Sequence, residues 1–229
     1  RSTLFPYTTL FRSERWELHE AGVDVITAGD HTWDQKGFEK EIDELPRVIR
    51  PLNFSPAAPG RGSVIVNVDG KIAVGVVNLI GRVFLANHDC PFRTGEAEVM
   101  RLRKQTNIIV VDMHAEATSE KIALGRFLDG KVSAVIGTHT HVATADEQIL
   151  PHGTAYMSDA GMCGPHDSVL GREVEAVVRR FLTQMPQKME VATGDVALCG
   201  VIVDVDESSG VARSIERVRL PYDGGNSED

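Results

Sequence analysis

The chain has 229 residues, with 24 Lys and Arg against 33 Asp and Glu, for a formal charge of -9. That length supports one sizeable domain with a real core, and 42% hydrophobic with 25% charged residues is ordinary for a soluble globular protein. The acidic balance excludes the basic footprint of a binder of polymeric nucleic acid, and no run is long and apolar enough to cross a bilayer.

No signal-peptide pattern is visible, so a cytoplasmic protein with no membrane partner is expected. Cys90, Cys163 and Cys199 are scattered and odd in number. They read as reduced, mostly buried thiols rather than a disulfide framework.

Taken in order, residues 1–13 do not read as the start of the domain that begins after them. Thr3 to Ser13 resembles, residue for residue, the conceptual translation of a short-read sequencing adapter, so a non-native segment is expected there. Glu14 to Ala21 predicts a helix end closed by Gly22, and Val23 to Ala28 a short strand. Gly29-Asp30-His31-Thr32-Trp33-Asp34 comes next, beyond a strand C-terminus, where open α/β sheets place their chemistry. The bland alternative is a turn capped by Asp30 with His31 in solvent.

A helix is predicted from about Asp34, with Phe38, Ile42 and Leu45 at helical spacing and Pro46 as its stop. Ser63 to Val68 and Lys71 to Leu79 predict a hairpin turned by Asp69-Gly70. His88 reads as a surface residue. Thr94 to Gln105 predicts a helix and Asn107 to Val111 a strand. That strand runs into Asp112-Met113-His114-Ala115-Glu116, where Asp112 either orients an imidazole or forms a turn.

A helix over Ser119 to Leu128 precedes the apolar run Val132 to Ile136, which reads as a buried strand ending in Gly137-Thr138-His139-Thr140-His141. In extended chain residues two apart share a face, so His139 and His141 are expected to point into one site. Neutral imidazole is a good transition-metal ligand; a histidine-bearing loop with no ligand is the alternative. Asp30, His114 and His139 thus occupy equivalent strand-end positions, and that recurrence predicts a metal site.

Gln148 to Ser158 predicts a second hairpin around Pro151-His152-Gly153. Tyr156 to Pro165 has turn-forming residues that suit either a loop near a pocket or a plain surface loop. After Asp167 the stripe Leu170, Val174, Val177, Val178 and Phe181 predicts an amphipathic helix. Strands near Val196 to Val205 and Val211 to Leu220 close the domain, and residues 222–229 are expected to be a disordered acidic tail.

The stretches Gly-Asp-His-Thr-Trp-Asp (29 to 34), Asp-Met-His-Ala-Glu-Ala-Thr-Ser-Glu-Lys (112 to 121) and Gly-Thr-His-Thr-His-Val (137 to 142) together resemble the YmdB-type metallophosphoesterases, a branch of the calcineurin-like phosphoesterases. The likeness runs from about residue 14 to residue 221. It implies an α/β fold, a four-layer αββα sandwich. It also implies a dinuclear centre of divalent metal ions, Fe or Mn foremost and Zn next, hydrolysing small phosphodiesters, cyclic nucleotides among them, by a two-metal hydroxide mechanism. Carried over by position, the resemblance gives Asp30, His114 and His139 to one metal, His141 to the other, and His31 the role of catalytic histidine, protonating the departing oxygen.

Two departures bear on this. Asp30 stands where the family has Asn, and its extra negative charge is expected to bind metal more strongly while weakening it as a Lewis acid. The family's aspartate after the first strand and its Gly-Glu-Asn motif after the second have no match before Gly29. The expectation is therefore a domain over residues 14–221 that lacks its first strands, holds at most one metal well and is impaired in activity. Self-association into a homo-oligomer is left open. Two rivals are a metal-dependent amidohydrolase, which predicts a barrel of repeating strand-helix units, and a non-catalytic fragment.

Overall fold

The computed structural model describes residues 17–222; the expectations for residues 1–13 and for the tail beyond Tyr222 lie outside the described residues. Residues 17–20 are helical, and Gly22 closes that helix at φ 93°. Val23 N–H donates to the Leu18 carbonyl and Gly22 N–H to that of His19, the paired bonds of a Schellman cap. Strand β1 (Ile26–Thr27) is shorter than predicted. Helix α1 (Phe38–Glu41) runs into a 3-10 turn (Ile42–Glu44), and β2 (Val48–Ile49) pairs parallel with β1. Ile26, Phe38, Ile42 and Val48 bury one another, so this first unit has its own small core.

The predicted hairpin forms as β3 (Ser63–Val68) and β4 (Ile72–Ile80). Asp69 and Gly70 take φ of 51° and 68°, both positive as a tight two-residue turn requires. Then come α2 (Pro91–Leu102), β5 (Ile108–His114), α3 (Thr118–Leu128), β6 (Ala134–Thr138), β7 (Gln148–Ile149) and β8 (Ala155–Met157). The six strands form one mixed sheet in the order β3-β4-β5-β6-β8-β7, parallel through its centre and antiparallel at both edges. Its open edges exclude the closed barrel of the amidohydrolase rival.

Strand β9 (Gly164–Asp167), helix α4 (Val174–Thr183), β10 (Gly194–Val205) and β11 (Ala212–Pro221) complete the described chain, with the strands ordered β11-β10-β9 in a second sheet. Tyr222 N–H still donates to the Val196 carbonyl just past the last strand.

Layering follows from which face each strand residue presents. On one face of the large sheet Val77, Leu79, Ile109, Val111 and Met113 pack against Val99 and Leu102 of α2 and Leu124 and Leu128 of α3. On the other, Ala134, Ile136, Ala155 and Met157 meet Ala212, Val201, Val203 and Ile215 of the second sheet. Helices, large sheet and second sheet are thus stacked as three of the four layers of the expected sandwich. The outer face of the second sheet is less covered, since Leu198, Ile202 and Leu220 are exposed. Helix α4 also departs from expectation: of its apolar stripe only Val177 is buried, Leu170 lies outside the helix at φ 51°, and Phe181 is 80% exposed.

Candidate metal centre

Three strand ends meet at one side of the large sheet. His114 is the last residue of β5, His139 follows the last residue of β6, and Asp30 lies three residues past β1. Buried Asn78 on β4 docks the first unit there, its Nδ2 donating to the carbonyls of Ala28 at 2.6 Å and Ile49 at 3.2 Å. Gly29 makes the final approach possible: a Cβ there would overlap the imidazole ring of His114.

Asp30 Oδ1 is 2.9 Å from His114 Nε2 and 3.7 Å from His139 Nδ1, and the two nitrogens are 3.0 Å apart. Ligand atoms of a tetrahedral site with bonds of about 2.0–2.1 Å stand roughly 3.3 Å from one another. Among the described residues this is the one group of three whose ligating atoms gather closely enough to hold a cation. Two imidazoles and a carboxylate are a donor set suited to a divalent transition metal.

The outer partners set the tautomers. Thr138 Oγ1 donates to Asp112 Oδ1 at 2.7 Å, so its lone pair accepts from His114 Nδ1 at 3.1 Å. Glu116 Oε2, 3.2 Å from His139 Nε2, accepts the proton of that ring. When a cation is bound, each ring in that tautomer would offer its other nitrogen, His114 Nε2 or His139 Nδ1, as a ligand at the point shared with Asp30 Oδ1. Asp112 is the orienting carboxylate allowed by its position, acting through Thr138; burial pushes its carboxyl up in spite of nearby His114 and hydrogen bonds from Thr27 and Thr138.

Electrostatics point the same way. Burial raises Asp30, but hydrogen bonds from His114 and His139 and the charges of His114 and His31 outweigh it and hold its carboxyl well below the usual range. The hydrogen bond to Asp30 raises His139 against its burial, helped by the charges of Asp30 and Glu116. The point between the three groups therefore favours positive charge.

His31 stands beside this cluster. Its Nδ1 donates to Asp34 Oδ2 at 2.8 Å, while Nε2 lies 3.7 Å from Asp30 Oδ2. His141 is not among the three. The extended-chain premise for the His139 and His141 pair does not hold, because β6 stops at Thr138 and both histidines adopt positive φ, 99° and 66°. His141 nonetheless lines the same cleft, and burial lowers it although the charge of Asp159 raises it. His88 is half-buried against Phe54, with rings 4.8 Å apart, rather than a plain surface residue.

The cleft measures about 1110 Å³ and is lined by Asp30, His31, His114, Glu116, His139 and His141. Gly161 and Met162 reach it, so the loop after β8 is a pocket loop, and Arg172, Arg180 and Phe181 also line it. Sequence reasoning passed over Glu116 and Thr138. Glu116 lies two residues from His114, a spacing that in extended chain would have pointed to a shared face. Thr138 carried no comparable signal.

Known proteins resemble this chain over most of its length. The model of the family described as "YmdB-like protein" matches residues 8–218. The chain is 47% identical over 206 residues to the 2',3'-cyclic-nucleotide 2'-phosphodiesterase of Bacillus subtilis, covering 90% of this chain and 78% of that protein. It is 36% identical to a putative phosphatase/phosphodiesterase of Mycoplasma genitalium, covering 90% of this chain and 75% of that protein. Among solved structures, a hypothetical protein from Thermus thermophilus superposes with a TM-score of 0.84 at 38% identity, over 92% of this chain and 81% of that one. A phosphatase from Mycoplasma pneumoniae gives 0.82 at 33%, over 92% and 76%.

Proposed function

The chain belongs to the YmdB-like protein family, and from that footing we propose that it hydrolyses small phosphodiesters, 2',3'-cyclic nucleotides foremost, with Asp30, His114 and His139 holding a divalent ion. The observation that carries this reading is the convergence of their three ligand atoms within 3.7 Å on the wall of a cleft that also contains His31. Fe or Mn is the preferred ion, with Zn next, and His141 is assigned to a second ion in the same cleft. A divalent cation supplies positive charge that polarises a phosphoryl oxygen and stabilises the charge developing in displacement.

The chain's own residues do the rest. Asp30 and the two imidazoles would offer their lone pairs to the ion, the rings oriented by Thr138 and Glu116. Asp34 fixes the His31 ring through Nδ1. In the role we assign it, His31 delivers a proton from Nε2 to the departing ribose oxygen, a poor leaving group as an alkoxide. No helix of the described residues is long and apolar enough to cross a membrane.

The test compares two substrates with Mn²⁺ present. His31→Ala should lower turnover of a 2',3'-cyclic nucleotide by about 10²-fold or more, the scale of general acid catalysis. It should affect bis(p-nitrophenyl) phosphate much less, because p-nitrophenolate leaves without a proton. His114→Ala should abolish both. Equal losses on the two substrates with His31→Ala would remove the acid role, and full activity after exhaustive chelation would remove the metal.

A further inference from the structure

The turn that carries His139 and His141 is held in a backbone form that L-residues rarely adopt. Such forms persist only where the surroundings over-determine them, and both histidines are in positive φ. Thr140, between them, is where the surroundings take hold. Its N–H donates to Asp159 Oδ2 at 3.0 Å and its Oγ1 donates to the same oxygen at 2.8 Å.

Asp159 is itself fixed on every side. Lys121 Nζ donates to Oδ2 at 2.8 Å, and both side chains are 1% exposed. Gly161 N–H donates to Oδ1 at 2.9 Å. The Asp159 backbone N–H donates to Thr144 Oγ1, and its carbonyl accepts from Thr144 N–H. One carboxylate thus accepts four hydrogen bonds, two of them from the residue between the histidines. A buried ion pair seldom adds net stability over an apolar pair of the same shape, and its best-attested use is to fix one arrangement.

We propose that Lys121 and Asp159 are positioning residues for the metal centre. They hold Thr140, and Thr140 sets the directions in which His139 and His141 leave the backbone. Lys121 Nζ and both donors of Thr140 meet at one oxygen, Asp159 Oδ2, so the carboxylate ties the turn to the buried ammonium of α3. Neither residue lies in the group of three ligands. The inference rests on the metal-site reading above, so its test uses two measurements, one of which needs no metal.

The first is amide hydrogen exchange of residues 138–143 in metal-free protein; the second is Mn²⁺ affinity by competition with a fluorescent chelator. Thr140→Val keeps the shape and the N–H but loses the hydroxyl donor, and Thr140→Ser keeps both donors. Asp159→Asn removes the charge. We expect Thr140→Val and Asp159→Asn to speed exchange in this turn and to weaken Mn²⁺ binding about 10- to 100-fold, the usual cost of losing a partner that orients a ligand. Thr140→Ser should match the parent in both.

Parental exchange and affinity in Thr140→Val would overturn the proposal. So would exchange that rises evenly across the chain, since that marks a general staple. Faster exchange confined to the turn, in a parent that binds no Mn²⁺, would support the positioning of the turn and sink the metal reading alone.

Discussion

Gly29 has no side chain because the His114 imidazole occupies the space one would fill. The carboxylate of the next residue then reaches His114 at 2.9 Å. Gly29→Ala replaces no ligand, yet its Cβ must push His114 away from Asp30 and His139. Its Mn²⁺ affinity, read by chelator competition, should fall about 10-fold or more; parental affinity would show the ring free to shift without loss. Asp146 gives a second test, on stability. Burial raises its carboxyl, but hydrogen bonds from Ser158 and Thr144 outweigh this and hold it low. A depressed folded-state value contributes stability above the unfolded-state value, about 3.9, and loses it as pH falls through the folded one. Asp146→Asn should therefore be less stable than the parent by about 1–2 kcal/mol near pH 7, with the gap shrinking towards about pH 3 in urea unfolding. A gap independent of pH would mean the charge contributes nothing.

At the scale of elements, legibility depended on whether the signal was local. Asp69-Gly70 specifies its own turn, so the hairpin formed at the predicted strands within a residue at the far strand's two ends. Helix α3 began one residue before its predicted start, and β10 and β11 matched closely. The expectation that His139 and His141 share a face fails because extended geometry does not continue over the three residues past Thr138. What bends the chain there is Asp159, distant in sequence, gripping Thr140. Helix α4 shows the opposite limit: spacing revealed an apolar stripe, but spacing cannot say what lies against it. Asn78 likewise gave no sign that it joins β4 to the first unit. Asn78→Ala removes two donors that hold Ala28 and Ile49, so it should cost about 1–3 kcal/mol by urea unfolding and weaken metal binding with it. Loss of stability with unchanged affinity would separate the docking of this unit from the metal centre.

Across the whole molecule, the site exists only where separately built parts meet. The first unit brings Asp30 and His31; the large sheet brings His114 and His139, and 84 positions separate Asp30 from His114. Recurrence of ligand-type residues at strand ends was therefore enough to pick out the three groups, because parallel strands place their C-termini side by side. Of the partners that aim them, Glu116 is hinted at by its spacing from His114, whereas Thr138 and Asp159 become visible only in three dimensions. The net charge of -9 adds nothing to attract a phosphodiester, so in the proposed reaction the cation would supply the local positive field, and Arg172 and Arg180 line the same cleft. The account stands on a cation shared by Asp30, His114 and His139. Its most direct test is Mn²⁺ retained after equilibrium dialysis, measured by elemental analysis for the parent and for Asp30→Ala, His114→Ala and His139→Ala. The account predicts an ion held by the parent and lost in all three variants; equal retention in the parent and any of them would contradict it.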